Sequence, residues 1–215
     1  TVPNDSHDSI QIALVVVHGG ARNADDYYCP LLAARQLQQS YAAESVLVLA
    51  PRFLTMQDNG LGDASTLRFG GTGHGKWRYG AGAKGYKHFT SFDAIDRFVE
   101  ALTRFPNLKR IIVVGHSVGA QFVQRWSLLN TLDWKGNNIS AVVANPSSWT
   151  YLAPQRFVKG TWKVPSTPHC TYYDEWVWGL EHHGNLTRFP SPYKERVLAN
   201  LGIPGVIQMY KQRNI

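Results

Sequence analysis

Acidic side chains are scarce in this 215-residue chain: fifteen Asp and Glu stand against 22 Lys and Arg, a formal charge of +7 with the histidines neutral. Charged residues of all kinds make up only 17%, below the roughly one quarter usual in soluble domains, which excludes a charge-rich disordered chain or a coiled-coil rod. Cysteine is nearly absent. Cys29 and Cys170 are too few and too far apart for a metal knot, so they read as one disulfide or two inert thiols. Long apolar runs are missing as well. The longest, Ile12 to Val17, is far short of the roughly 18 residues that cross a bilayer, and no membrane partner is expected. A surplus of positive charge draws anions without naming one. Lys76, Arg78, Lys84 and Lys87 interleave with Trp77, Tyr79 and Tyr86, yet no nucleic-acid motif surrounds them, so no nucleic-acid partner is expected either.

What is present is a globular composition. Apolar residues reach 44%, ample for a core in one domain spanning 1–215, and 19 Gly, 10 Tyr and 7 Trp point to long aromatic loops. Thr1 in place of Met fits a processed chain, and three sequons, Asn4-Asp5-Ser6, Asn138-Ile139-Ser140 and Asn185-Leu186-Thr187, favour a secreted glycoprotein.

Five short, mostly β-branched runs read as strands buried on both faces: Ile10 to Val17, Val46 to Ala50, Ile111 to Val114, Ala141 to Ala144 and Val206 to Tyr210. Helical segments alternate with them. Leu31 to Ala43 and Gln121 to Asn130 carry helix formers, and Ser91 to Phe105 sets Phe92, Ile95, Phe98, Val99 and Leu102 on one face, with Ser91 as N-cap and Pro106 as stop. This alternation predicts an α/β fold with a central, mostly parallel sheet flanked by helices. Two stretches break the rhythm, a Gly-rich loop over 54–90 and a Trp-, Tyr- and Pro-rich loop over 147–192. Gly70 to Lys76 spells G-x-x-x-x-G-K, but Trp77 stands where a P-loop needs Ser or Thr, and Gly80 to Gly85 matches G-x-G-x-x-G without a preceding strand or a following helix. Neither marks a nucleotide site.

The chemistry concentrates where the run Ile111 to Val114 leads into Gly115-His116-Ser117-Val118-Gly119 and then a helix. A buried strand must turn sharply there, and the glycines let backbone pass close beneath Ser117 so that its hydroxyl stands above the sheet edge. The following helix N-terminus brings the Val118 N–H beside it. The first strand ends in His18-Gly19-Gly20-Ala21-Arg22-Asn23, a turn that can aim the N–H of Gly20 or Ala21 at the same space.

At these residues the chain resembles the α/β-hydrolase superfamily, and within it secreted serine esterases and a depolymerase-like branch with an H-G-G-x-x-N turn and a G-H-S-x-G elbow; the resemblance covers roughly 10–148. It implies Ser117 as nucleophile, an oxyanion hole from Gly20, Ala21 and Val118, a small-molecule or polymer ester as substrate, and no metal or organic cofactor. It also places the loop Asn145-Pro146-Ser147-Ser148 near the pocket. The expected order is nucleophile, then an acid after a later strand, then a histidine near the C-terminus. If Val206 to Tyr210 is that later strand, the residues behind it offer neither Asp nor Glu nor His. Three arrangements follow. The acid and histidine stand on another segment or a second chain; or the fold survives as a catalytically silent binding or structural protein; or the pair lies within this chain, from Asp174 or Glu175 and then His182 or His183. A second chain or a symmetry mate is expected to cover the edge at 206–210. His116 is expected to pack beneath the elbow. His182 and His183, being adjacent, lack the i, i+4 spacing that converges on a metal ion.

Overall fold

A computed structural model describes residues 8–58, 60–70, 76–166, 172–181 and 189–215. Four strands form its parallel sheet in the order β2-β1-β5-β6: β1 (Ile12–Val17), β2 (Val46–Leu49), β5 (Arg110–His116) and β6 (Ile139–Ala144). The first four apolar runs are therefore its strands. Side chains alternate across the sheet as the two-residue period requires. Ala13, Val15, Val17, Ile111 and Val113 enter the main core with Ile95 and Val99 of α2 (Ser91–Leu102) and Phe122 and Trp126 of α3 (Val118–Leu129). Ile12, Leu14 and Ile112 face the other way, toward Leu31 and Ala34 of α1 (Asp25–Leu37). Helices thus flank both faces. Full burial of Trp126, Phe92, Phe122 and Ile95 contributes roughly 1.5–3 kcal/mol per side chain, the largest favourable increments in the core.

The helices begin earlier than their sequence patterns. α1 starts at Asp25 and runs through Pro30, which forgoes one intrahelical hydrogen bond. α2 is capped by Thr90 rather than Ser91: the Thr90 hydroxyl accepts from the Asp93 N–H while the Asp93 carboxylate accepts from the Thr90 N–H. Ser91 is buried and donates to the Trp77 carbonyl, tying the Gly-rich loop to α2. That loop is more regular than its composition suggests. It folds into the antiparallel pair β3 (Gly82–Ala83) and β4 (Tyr86–Thr90), and Trp77 stacks on Phe53 at 5.2 Å within the core.

The expected fifth strand is wrong. Val206 to Tyr210 is the last part of α4 (Pro192–Tyr210), begun by the Ser191 cap and Pro192 at its first position and bent at Gly202, where φ is 63°. A five-residue apolar run suits a buried strand or one face of a helix equally well, and here Val206, Ile207 and Tyr210 pack on the core at helical spacing. Strand-like pairing comes later. Asn214 lies parallel to Ser140, accepting from the Ala141 N–H at 2.9 Å, while Arg213 donates to the carbonyls of Ser127 and Asn130 at the end of α3. The sheet edge on this side is therefore β6, where Val142 is 45% exposed, and not 206–210.

Cys29 is a free, exposed thiol, and Cys170 lies outside the described residues. So do the sequons at Asn4 and Asn185. Asn138, of the third, donates its side-chain amide to the Lys109 carbonyl at the start of β6.

Candidate active site

β5 runs straight into α3 through Ser117, whose φ of 56° and ψ of −119° are a strained pair for a residue with a side chain. Two glycines make that turn sterically feasible. A Cβ on Gly115 would collide with the Gly119 carbonyl and stand 2.7 Å from the Ala120 nitrogen, and one on Gly119 would collide with the Val17 carbonyl and stand 2.7 Å from that of His18. The G-x-S-x-G spacing is thus a packing requirement: it presses the start of α3 onto the end of β1. The Ser117 N–H is held by the Ala144 carbonyl at 3.0 Å, its side chain does not cap its own helix, and the residue is half-buried at the carboxyl edge of the sheet.

The turn after β1 lies directly against this elbow. A Cβ on Gly20 would come within 3.2 Å of Val118 Cγ2, and Gly20 and Ala21 are both exposed. Gly20 therefore meets Val118, the residue after Ser117, at the N-terminus of α3. Three features that the sequence did not announce hold the turn. His18 is fully buried, its Nε2 accepting from the Phe53 N–H at 2.9 Å and its Nδ1 donating to the Gly19 carbonyl at 2.9 Å, with Trp77 4.7 Å from its ring. Arg22, at φ 58°, grips Asp58 through two nitrogens at 2.8 and 3.1 Å. Burial by itself would raise the Asp58 carboxyl, but the hydrogen bonds from Arg22 and Thr55 bring it down to about 2. Third, Tyr27 of α1 presses its hydroxyl on Gly19, so closely that a Cβ there would collide with it.

Burial lowers His18 to about 4; its bond to Gly19 opposes this, and the charges of Arg22 and Arg52 reinforce it. The imidazole is neutral in the folded protein, whereas the unfolded chain takes up a proton below its ordinary 6.5. His18 therefore supports stability fully above pH 6.5 and loses about 3 kcal/mol of it as pH falls to about 4. Urea unfolding across that range should show the native protein losing about 3 kcal/mol relative to His18→Gln. Parallel profiles for the two would mean that the ring is not held neutral.

His116 does not pack beneath the elbow. It is exposed at the sheet edge, its ring 6.4 Å from Tyr27, because the residue before Ser117 in the turn points away from the core face that Gly115 and Val113 occupy. Ser147 and Ser148, by contrast, do reach the helix that follows the elbow. Gln121, one turn after Ser117, donates to Ser147 Oγ and accepts from Ser148 Oγ at 3.1 Å. Arg125, one turn further, is fully buried without a carboxylate and donates to Ser148 Oγ and to the carbonyls of Gln121 and Val177. Burial lowers it to about 9. The second long loop is thus bolted to α3.

Asp174 has a partner already: Arg156 pairs with it at 2.9 Å, both side chains largely buried. Glu175 is buried, and its Oε1 has no hydrogen-bond partner among the described residues. His182 and His183 lie outside the described residues, as do His74 and His169. Among the described residues no group of three metal-ligating side chains comes together. Trp77 and Trp176, from the two long loops, are core residues.

A model of the alpha/beta hydrolase family matches residues 14–207, nearly the whole chain. The chain belongs to the α/β-hydrolase family. Its parallel sheet and helices on both faces are the architecture that membership requires. No curated protein matches it. Among solved structures it is similar to LpqC, a poly(3-hydroxybutyrate) depolymerase from Bordetella parapertussis, at 20% identity and a TM-score of 0.46, over 71% of this chain and 47% of that one. The hydrolase chain thus spans about half the length of that structure.

Proposed function

We propose that this α/β hydrolase transfers an acyl group from an ester to water through Ser117. The observation that carries the reading is the strained Ser117 turn packed against Gly20. The approach of Gly20 to Val118, next to Ser117, supports an oxyanion hole from the N–H groups of Val118 and of Gly20 or Ala21, where the negative charge of a tetrahedral intermediate would develop. Ser117 Oγ attacks the ester carbonyl and loses its proton to a base; the C–O bond breaks and the alcohol leaves carrying that proton. Water then adds to the acyl-serine, the acid departs and the hydroxyl is restored. Donors fixed in this way contribute roughly 3–4 kcal/mol of transition-state stabilisation each.

The base is His182 or His183 of this chain, or a histidine on a segment docked along the outer side of β6, where Asn214 already begins a parallel pairing. The ion pair of Asp174 with Arg156 favours the docked segment, since it takes up one in-chain acid.

A fluorophosphonate probe should label Ser117 of the native protein and leave Ser117→Ala unlabelled, and hydrolysis of a p-nitrophenyl ester should fall at least about a thousandfold in that variant. An unlabelled native protein would replace this reading with that of a catalytically silent hydrolase-fold binding protein.

A further inference from the structure

One surface of the second long loop serves neither the elbow nor the core. From Asn145 to Tyr173 the sequence holds no Asp or Glu, and its charges are Arg156, Lys159 and Lys163. Within it β7 (Arg156–Val158) and β8 (Thr161–Lys163) pair as a tight hairpin, with Lys159 and Gly160 at φ 49° and 82°, as a two-residue turn with two positive φ values demands. Phe157 and Trp162 are register partners and so share a face, their rings 5.5 Å apart. They are 62% and 64% exposed, the most exposed aromatic pair in contact among the described residues.

The opposite face is pinned. Arg156, a neighbour of Phe157 pointing the other way, pairs with Asp174, donates to the carbonyls of Tyr173 and Trp178 at 2.9 and 3.0 Å, and lies 4.1 Å from the Tyr151 ring centre. The hairpin therefore presents Phe157 and Trp162 from a fixed base rather than from a loose loop. It also leaves the sheet at the carboxyl edge, where the Ala144 carbonyl holds Ser117.

A rigid, acid-free hairpin with two paired aromatics outward and a lysine in its turn has the chemistry of a membrane–water boundary; Lys163, the register partner of Arg156, lies on the opposite face. Trp and Phe are favoured at headgroup level, and lysines are attracted to acidic headgroups. We propose that the β7–β8 hairpin seats the protein peripherally on an anionic lipid surface, Phe157 and Trp162 entering the headgroup layer and Lys159, in the turn, resting on acidic headgroups. Such a seat needs no spanning helix, and no described helix is long and apolar enough to be one. It departs from the sequence expectation of no membrane partner, which rested on the absence of a spanning run.

Co-sedimentation tests this without turnover if the Ser117→Ala protein is mixed with vesicles of phosphatidylcholine alone or with added phosphatidylglycerol. The protein should bind the mixed vesicles, bind the neutral ones far less, and dissociate as salt rises. Phe157→Ser with Trp162→Ser should weaken binding at least about tenfold, and Lys159→Glu by a similar factor. Circular dichroism should show both variants folded, since all three side chains are exposed. The hairpin proposal fails if the protein ignores the mixed vesicles, if it binds neutral and anionic ones alike, or if the folded variants bind as well as their parent. It fails too if the patch instead drives self-association, or takes up polyester particles and no vesicles. In a Ser117-intact background the hairpin variants should keep full activity on a soluble ester, so this proposal and the acyl-transfer reading can fail separately.

Discussion

Alanine at Gly119 should destabilise the protein by about 3–5 kcal/mol and abolish fluorophosphonate labelling of Ser117. The new methyl group would collide with the Val17 carbonyl oxygen and stand 2.7 Å from that of His18. Both are backbone atoms of β1 and its turn, so no side chain can swing aside. The start of α3 would have to lift off the end of β1, carrying the Val118 N–H away from Gly20. Gly85→Ala is the matched control. There φ is 78° and nothing lies within 4 Å of the added Cβ, so only the left-handed backbone is penalised, by about 1 kcal/mol. Urea unfolding of the two variants separates close approach from backbone strain. Equal stabilities would sink the claim that Gly119 is required by contact with β1.

Asp96→Asn should stabilise the protein by about 2 kcal/mol above pH 6 and by almost nothing near pH 4. Asp96, on α2, is half-buried and accepts from the Trp126 indole at 2.7 Å and from the Tyr193 hydroxyl at 2.6 Å. Burial pushes its carboxyl up to about 6; the two hydrogen bonds oppose this, and Asp93 and Glu100 on the same helix add to it. Arg213 lies near enough to interact with it, and Arg196 with Tyr193. A carboxyl raised in the folded state contributes fully below its ordinary 3.8 and loses that contribution as pH rises through about 6, so near neutrality it carries a half-buried charge. Asparagine keeps an acceptor for Trp126 and turns its amide to the Tyr193 oxygen. Chemical unfolding from pH 4 to 8 reads the difference. A variant less stable than its parent at pH 7 would show that the hydrogen bonds outweigh the cost of burying the charge. Because Asp96 favours the acid side and His18 the neutral side, the native profile between pH 4 and 6 is the sum of two opposed slopes, and only the single variants separate them.

The two motifs around Ser117 were legible because each is a local signal with a local cause. A β-branched run feeding Gly-x-Ser-x-Gly describes a strand, a tight turn and a helix start within a dozen residues, and the structure adds only the partner that makes Gly119 necessary, Val17. The clamp around the turn after β1 was not legible. His18 meets the Phe53 backbone 35 residues away and Arg22 meets Asp58 36 residues away, and neither separation leaves a period or a motif. Nor was the burial of Trp77 and Trp176, because aromatic side chains in irregular sequence carry no mark of it; both are core residues.

By itself the sequence determined the α/β architecture, the four parallel strands and the position of Ser117 at a strand-to-helix turn. Each depends on alternation, glycine placement or helix periodicity within a short window. Tertiary structure alone decided that Val206 to Tyr210 is helical, that Asp174 is the counter-charge of Arg156, and that His18 is a buried neutral prop for the turn after β1. The reason is physical. A short apolar run takes the conformation that buries it best against its neighbours, and an ionisable side chain takes the role its partner permits, so both depend on contacts between distant parts of the chain.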